Sequence, residues 1–379
     1  MRGGGLIYEL VVLLCRFLFI FYIVYFLILG LEYLLDERQI KYFNRGVVIS
    51  KQRLNIIFMH VTGFMLLAYI PGTFSFDIDK LLLAVGGVVF IIYGFYAANK
   101  IFPQSCPMLW SGVFFLLDVS LIILGRLDHN LAKRQLLMMF LGLTLTFFIP
   151  LFLKIIPKSY NLKYLYLSLA TLLLLSTFAL GSEKNGAINW ININGFSFQP
   201  SELVKFLFVF YLAAEFKGRL SIKKLIAPGA FSAFFIFILV VQRDLGGALI
   251  FFMTFMVMMY IATGSGVLFG LGLGAFSLAA GIAYKLFNHV RVRVLIFLDP
   301  WSDFYGSGNQ ISNSLFAIGT FGLLGSGLGR GTPLSVPVVK TDFIFAAICE
   351  ELGGIFGLCL LAICVVIYYR GVHISLRAS

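Results

Sequence analysis

Runs of mostly apolar residues, each long enough to cross a membrane, follow one another along this 379-residue chain. An α-helix needs about 20 such residues to span the hydrocarbon core of a bilayer. The composition agrees, because 60% of the residues are hydrophobic and only 12% are charged. The sequence therefore predicts an all-α polytopic membrane protein with about eleven transmembrane helices. The predicted spans lie near 7–30, 54–71, 81–98, 108–125, 136–156, 163–180, 202–215, 225–241, 246–263, 266–286 and 344–369.

The positive residues between these spans predict the orientation of the chain. Cytoplasmic loops of membrane proteins are enriched in Lys and Arg, which also explains the net charge of +12 without a nucleic-acid partner. We expect the N-terminus outside, the C-terminus inside, and loops 181–201, 242–245 and 287–343 on the outer side. The residues that set this orientation are Arg38, Lys41, Arg45, Lys51, Arg53, Lys154, Lys158, Lys217, Arg219, Lys223 and Lys224.

The five cysteines carry no signature of a disulfide or metal site. They are Cys15, Cys106, Cys349, Cys359 and Cys364, all in or beside apolar runs and none in a CxxC pair. They are interpreted as small apolar side chains within helices, and no protein-held metal is predicted.

The loop at 287–343 is far longer than the usual connection between two helices. It combines apolar residues with a glycine-rich stretch, GTFGLLGSGLGRGTP. A disordered loop would be poorer in apolar residues. We expect a partly helical loop that folds back on the outer membrane surface as short amphipathic helices.

Charged residues enter the membrane-level segments at three places. Glu202 and Lys205 are spaced so that they can pair on one helix face. The pair could line a polar cavity, or it could be a simple ion pair at the membrane interface. Asp244 lies at a tight turn, which a plain hairpin also explains. Asp342 precedes an apolar run that contains Glu350 and Glu351, and taken alone it is interpreted as a helix cap. All three places fall on the predicted outer side, which favours one shared, water-filled site.

Four separated motifs in register then resemble one family. They are WININGFSFQPSELVK, QRDLGGALI, RVRVLIFLDPWSDFYGSGNQ and KTDFIFAAICEELG, and the resemblance covers about residues 108–369. The chain is similar to the SEDS proteins, which polymerise lipid II into peptidoglycan glycan strands at the outer face of the bacterial cytoplasmic membrane. The resemblance implies a class B penicillin-binding protein as partner, membrane lipids around the protein, and no nucleic acid.

The resemblance also assigns site residues. The essential aspartate of the family's TDFIFA motif corresponds to Asp342, which is expected to be the catalytic base. The substrate-binding residues that the family's motifs imply are Glu202, Lys205, Asp244 and Arg293. Arg291 and Lys340 are added as candidates because their positive charge would attract the leaving diphosphate. Whether a divalent cation, Mg²⁺ or Mn²⁺, also binds at this site is left open.

The chain departs from the family's pattern in four ways. Arg243 stands where the family has proline, and Asn309 where it has tyrosine. Residues 1–100 add about three spans before the family's usual first helix. The sequence ends after the eighth family helix, so the family's LPxxSYGGSS segment is expected to be missing. The predicted organisation is 1–100 as the N-terminal extension, 101–286 as seven family helices, 287–343 as the outer loop, and 344–379 as the eighth helix and tail.

Two other function classes fit the same residues. A flippase for lipid-linked precursors would line a translocation path with these charges. An inactive scaffold would bind the penicillin-binding protein and make no polymer. Elongation, division and sporulation are equally open as the physiological role.

Overall fold

The computed structural model of this protein describes residues 2–37, 44–71, 75–155, 159–184, 187–193, 196–217 and 222–378. Across these residues α-helices dominate, so the predicted all-α architecture is confirmed. The helices are α1 (Arg2–Glu37), α2 (Arg45–Ala68), α3 (Ile78–Ile101), α4 (Pro107–Leu127), α5 (His129–Ile155), α6 (Lys163–Leu180), α7 (Pro200–Glu215), α8 (Ile222–Val241), α9 (Leu245–Thr263), α10 (Gly266–Leu286), α11 (Asn288–Leu298), α12 (Asn309–Thr320), α13 (Ile344–Leu352) and α14 (Gly354–Ala378).

A helix occurs at each of the eleven predicted spans, but fewer than eleven of these helices qualify as membrane spans. Within the described ranges, nine helices are long and apolar enough to cross a membrane. Those nine do not include α7, which has 16 residues, or α2, which begins with Arg45, Lys51 and Arg53. The chain is thus a multi-pass membrane protein.

The last predicted span, 344–369, is wrong as one continuous helix. Gly353 has φ 96° and ψ 161°, which a right-handed helix cannot accommodate, and it separates α13 from α14. The backbone of Gly322 and Leu323 accepts hydrogen bonds from Gly354 and Ile355 at 3.1 Å each. The chain breaks here because Leu323, in the loop between α12 and α13, occupies the space beside Gly353.

Five short strands accompany the helices. β1 (Tyr69–Ile70) and β2 (Ser75–Phe76) pair antiparallel between α2 and α3. β3 (Gly181–Lys184), β4 (Ala187–Ile193) and β5 (Phe196–Phe198) form an antiparallel sheet in the order β3-β4-β5, in the predicted outer loop 181–201. This small sheet was absent from the sequence-based interpretation, which expected only helices.

The long segment between α10 and α13 is partly helical, as predicted. It contains α11, α12 and a 3₁₀ turn at Pro333–Ser335. Four of its glycines, at 322, 325, 327 and 329, have positive φ angles. The segment is therefore an ordered element with its own turns.

The chain forms two compact units. The first comprises residues 1–149 and 300–379, and the second comprises residues 150–299. In the first unit α1 packs on α2 and α14, and α2 packs on α3 and α4. The buried core there includes Phe19, Ile23, Phe26, Phe115 and Phe356. In the second unit α6 packs on α7 and α8 on α9, around Phe208, Phe235 and Phe251.

Four of the positive residues that predict the orientation lie outside the described residues. They are Arg38, Lys41, Lys158 and Arg219. The orientation of both termini stays a prediction.

Candidate functional site

Asp342 lies on an ordered segment of the first unit, two residues before α13. Val336 and Val339 anchor this segment in the core, with 1% and 3% of their surface exposed. The Asp342 side chain itself is exposed. The interpretation of Asp342 as the cap of the following helix is wrong, because Phe343 is the cap residue and makes no side-chain capping bond. The Asp342 carboxylate is consequently not held at the start of α13.

Lys340 anchors the same segment from the other direction. Its Nζ donates a hydrogen bond to Oδ2 of Asp128 at 2.8 Å. Asp128 lies between α4 and α5, and its other carboxylate oxygen accepts from the backbone N–H groups of Asn130 and Leu131. The Lys340 hydrogen bond holds the pKa of Asp128 below its usual value. Lys340, predicted as a ligand of the diphosphate, is thus already paired in this structure.

The glycine-rich loop closes around two buried glutamates of α13. Glu350 and Glu351 have only 3% and 1% of their surface exposed. Oε1 of Glu350 accepts from the backbone N–H of Thr332 at 2.6 Å, and its carbonyl accepts from Ser326 at 2.9 Å. Through these contacts Glu350 holds the glycine-rich loop in place.

Glu351 holds the loop from the other side. Its Oε2 accepts from the backbone N–H of Gly329 at 2.9 Å, and its Oε1 accepts from Nε of Arg126 at 3.1 Å. Arg126, near the end of α4, also donates to the carbonyls of Gly329 and Gly331 at 3.4 and 3.3 Å. A buried carboxylate needs such partners, because an isolated one is costly to desolvate. The two glutamates therefore support the loop that precedes Asp342.

Asp244 is the centre of a hydrogen-bond network in the second unit. Its Oδ1 accepts from the backbone N–H of Gly247 at 2.8 Å and caps α9. Its Oδ2 accepts from Nδ2 of Asn189 at 2.9 Å and from Nε2 of Gln199 at 3.1 Å. Both oxygens are thus engaged in joining the turn before α9 to the β-sheet and to the start of α7.

Glu202 and Lys205 pair as the sequence predicts, at the start of α7. Lys205 Nζ lies 2.7 Å from Glu202 Oε1, and 57% of the Glu202 side chain remains exposed. Pro200 occupies the first helical position and Glu202 the first turn, where a negative charge is favoured by the helix dipole. An ion pair this exposed contributes at most about 1 kcal/mol to stability. The Lys205 side chain is 28% exposed.

Arg291 and Arg293 lie on α11, and both are exposed. His289 lies one helical turn before Arg293. Burial lowers the pKa of His289 below its usual value, and the positive charges of Arg243 and Arg293 lower it further. At neutral pH the positive charge of this short helix therefore resides on its arginines.

The structure brings together residues that the sequence analysis did not connect. Asp128, Arg126, Asn189 and Gln199 were not singled out. A signal existed for the first two, because Arg126 and Asp128 are charged residues at the end of an apolar span. Among the described residues, no group of three His, Cys, Asp or Glu side chains could hold a metal ion.

Comparison with known proteins places these features in a family. Residues 100–379 match the FtsW/RodA/SpoVE family, described as cell cycle protein. The chain is 32% identical to "Peptidoglycan glycosyltransferase RodA" of Mycobacterium tuberculosis over 314 residues, covering 74% of this chain and 66% of that protein. It is 30% identical to "Probable peptidoglycan glycosyltransferase FtsW" of Geobacter sp., covering 80% of each chain. It is 34% identical to "Stage V sporulation protein E" of Bacillus subtilis, covering 65% of this chain and 69% of that protein.

Similarity extends to the solved structures. One of them is a chain from a peptidoglycan synthase complex, with a TM-score of 0.48, 24% identity and coverage of 76% of each chain. The chain described here spans 66% of the length of the mycobacterial relatives that it matches.

Proposed function

Because this chain belongs to the FtsW/RodA/SpoVE family, the SEDS proteins, we propose that it is a peptidoglycan glycosyltransferase that polymerises lipid II. The observation that carries the proposal is an exposed carboxylate, Asp342, on a segment anchored on both sides. Val339 and Lys340 fix the segment before it, and α13 follows directly after. A catalytic group on a fixed backbone is pre-organised for its reaction.

The proposed reaction joins two lipid-linked disaccharides. Asp342 accepts the proton of the 4-hydroxyl of one sugar, and that oxygen attacks the anomeric carbon of the other. The bond from the anomeric carbon to the diphosphate breaks, and the polyprenyl diphosphate leaves with the bonding electrons. The products are a longer glycan strand and the lipid diphosphate.

The leaving diphosphate needs positive charge. We assign that role to Arg291 and Arg293, which are exposed, and to Lys205, which the QPSELVK motif marks and whose pair with Glu202 is partly exposed. Glu202 pairs with Lys205 on α7, and Asp244 orders the turn before α9. Lys340 acts in this proposal through Asp128, as an anchor of the catalytic segment.

The enzyme is proposed to have a defined orientation in the membrane and a partner protein. The N-terminus lies outside and the C-terminus lies in the cytoplasm of a bacterial cell, so that Asp342 acts at the outer face of the cytoplasmic membrane. A class B penicillin-binding protein is the proposed partner that crosslinks the product. The physiological role is elongation, division or sporulation.

Incubating the purified protein with lipid II tests the proposed function and distinguishes it from the flippase and the scaffold. Glycan polymer on a gel, lost in the Asp342→Ala variant, is the expected result. Translocation of the lipid II head group across a liposome membrane without polymer would instead indicate a flippase. Capture of the penicillin-binding protein with neither polymer nor translocation would indicate a scaffold.

A further inference from the structure

The first helix lies outside the matched family region, yet it contacts the loop that leads to Asp342. The family match begins at residue 100, and α1 ends at Glu37. Three residues of α1, spaced so that they share one helix face, contact the glycine-rich loop of the first unit. They are Glu9, Val12 and Arg16.

Val12 lies against Gly327 of the loop. Val12 is 1% exposed, and a Cβ atom placed on Gly327 would lie 2.8 Å from Val12 Cγ1. Gly327 has φ 98°, and its backbone N–H donates to the carbonyl of Glu351 at 2.8 Å. Gly327 is therefore enclosed between α1 and α13, in a space that a larger residue would not fit.

Two charged residues extend the contact on either side of Val12. Arg16 donates from Nη1 to the carbonyl of Gly325 at 3.1 Å. Glu9 accepts from Nη2 of Arg330 at 3.0 Å, in an ion pair that is partly exposed. A charge on an apolar helix is costly unless it has a partner, and these contacts give Glu9 and Arg16 theirs. The exposed pair adds less to the contact than the buried groups do.

The loop transmits its position towards Asp342 through a short stretch of chain. Glu350 fixes the loop's end at Thr332, and Val336, Val339 and Lys340 fix the next eight residues. A displacement of Gly325 to Arg330 would shift the start of this stretch. Small displacements of a reacting group cost large factors in rate.

We propose that α1 is a positioning element: Glu9, Val12 and Arg16 clamp the glycine-rich loop against α13 and so set the position of Asp342. The clamp rests on the proposed function only in its last step, the effect on polymerisation. Its first step, the restraint of the loop by α1, is independent of any activity.

Two measurements on the same variants test both steps. Arg330 is a trypsin site within the clamped loop, so the rate of cleavage after Arg330 reports how often the loop opens. The variants are Val12→Ala and Arg16→Gln, with Leu14→Ala as the matched control, because Leu14 lies on α1 with 58% of its surface exposed. Glu9→Gln, at an exposed position, repeats the test if a buried variant fails to fold.

We expect cleavage after Arg330 to be at least ~5-fold faster in Val12→Ala and Arg16→Gln, and unchanged in Leu14→Ala. The kcat of lipid II polymerisation should fall ~10-fold in the two test variants, with KM nearly constant, because α1 acts on the base rather than on the substrate.

Cleavage at the wild-type rate in the test variants would overturn the clamp. Faster cleavage with wild-type kcat would overturn its role in positioning Asp342. If the wild type made no polymer, the proposed function would fail, and the cleavage rates alone would decide whether α1 restrains the loop.

Discussion

Lys340 Nζ and Asp128 Oδ2 lie 2.8 Å apart, and this pair joins the chain between α4 and α5 to the segment that carries Asp342. The sequence marked Lys340 as a ligand for the diphosphate of the substrate. Its pairing with Asp128 favours a different role, that of an anchor. A reversal of both charges separates the two roles.

Lys340→Asp alone places two carboxylates side by side, so we expect polymerisation to fall by about 10-fold as the segment shifts. The double variant Asp128→Lys with Lys340→Asp restores the attraction and should recover most of the lost rate. Steady-state kinetics with lipid II measures both. If the double variant recovers nothing, Lys340 acts on the substrate directly.

The pH dependence of the same pair follows from the lowered pKa of Asp128. A carboxyl with a depressed folded-state pKa stabilises the fold above its unfolded pKa, about 3.9, and loses that contribution as the pH falls through the folded value. The difference in unfolding temperature between wild type and Asp128→Asn should therefore stay constant from about pH 5 to 8 and shrink below about pH 4. A difference that varies between pH 5 and 8 would point to another titrating group.

Arg126 is expected to matter for stability because it partners the buried Glu351. Arg126→Ala leaves the Glu351 carboxylate, 1% exposed, with the backbone N–H of Gly329 but without a counter-charge. Removing one partner of a buried pair costs roughly 3 kcal/mol, reduced here because 25% of the Arg126 side chain is exposed. Thermal unfolding in detergent measures the loss. Arg134→Ala, at an exposed position on α5, is the control and should unfold at the wild-type temperature.

Gly353 is expected to tolerate no side chain. A Cβ atom there would lie 2.4 Å from the carbonyl oxygen of Leu323, and φ is 96°. Gly353→Ala should cost about 1–3 kcal/mol of stability, plus whatever the displaced loop adds. Gly371→Ala, in α14 with no atom within 4 Å of the added Cβ, is the matched control. Equal unfolding temperatures for the two variants would contradict the tight packing of Leu323 on Gly353.

The sequence was sufficient for those features that depend on local composition. Apolar runs predicted the helices, and the i, i+3 spacing of Glu202 and Lys205 predicted their pair. Four motifs in register identified the family. These signals are contained within short windows, so no knowledge of distant contacts was needed.

Features that depend on contacts between distant parts of the chain were missed. The sequence left the role of Glu350 and Glu351 open, and only their contacts with backbone N–H groups more than 15 residues earlier show that these buried residues support the loop. The break at Gly353 arises from the approach of Leu323, and a single glycine in an apolar run gives no sign of it. Asp342 resembled a cap because Asp is common at that position, but the helix begins one residue too late for it.

The most direct test of the account is the rate of lipid II polymerisation by the Asp342→Asn variant. Asparagine keeps the shape of the side chain and cannot take the proton of the acceptor hydroxyl, so the rate should fall at least ~100-fold with the folded protein intact. Asp303→Asn is the control, since the Asp303 carboxylate of the same loop accepts from the backbone N–H of Ser307 at 2.7 Å and closes its own turn. Near wild-type polymerisation by Asp303→Asn together with the loss in Asp342→Asn is the predicted result, and full activity of Asp342→Asn would contradict the account.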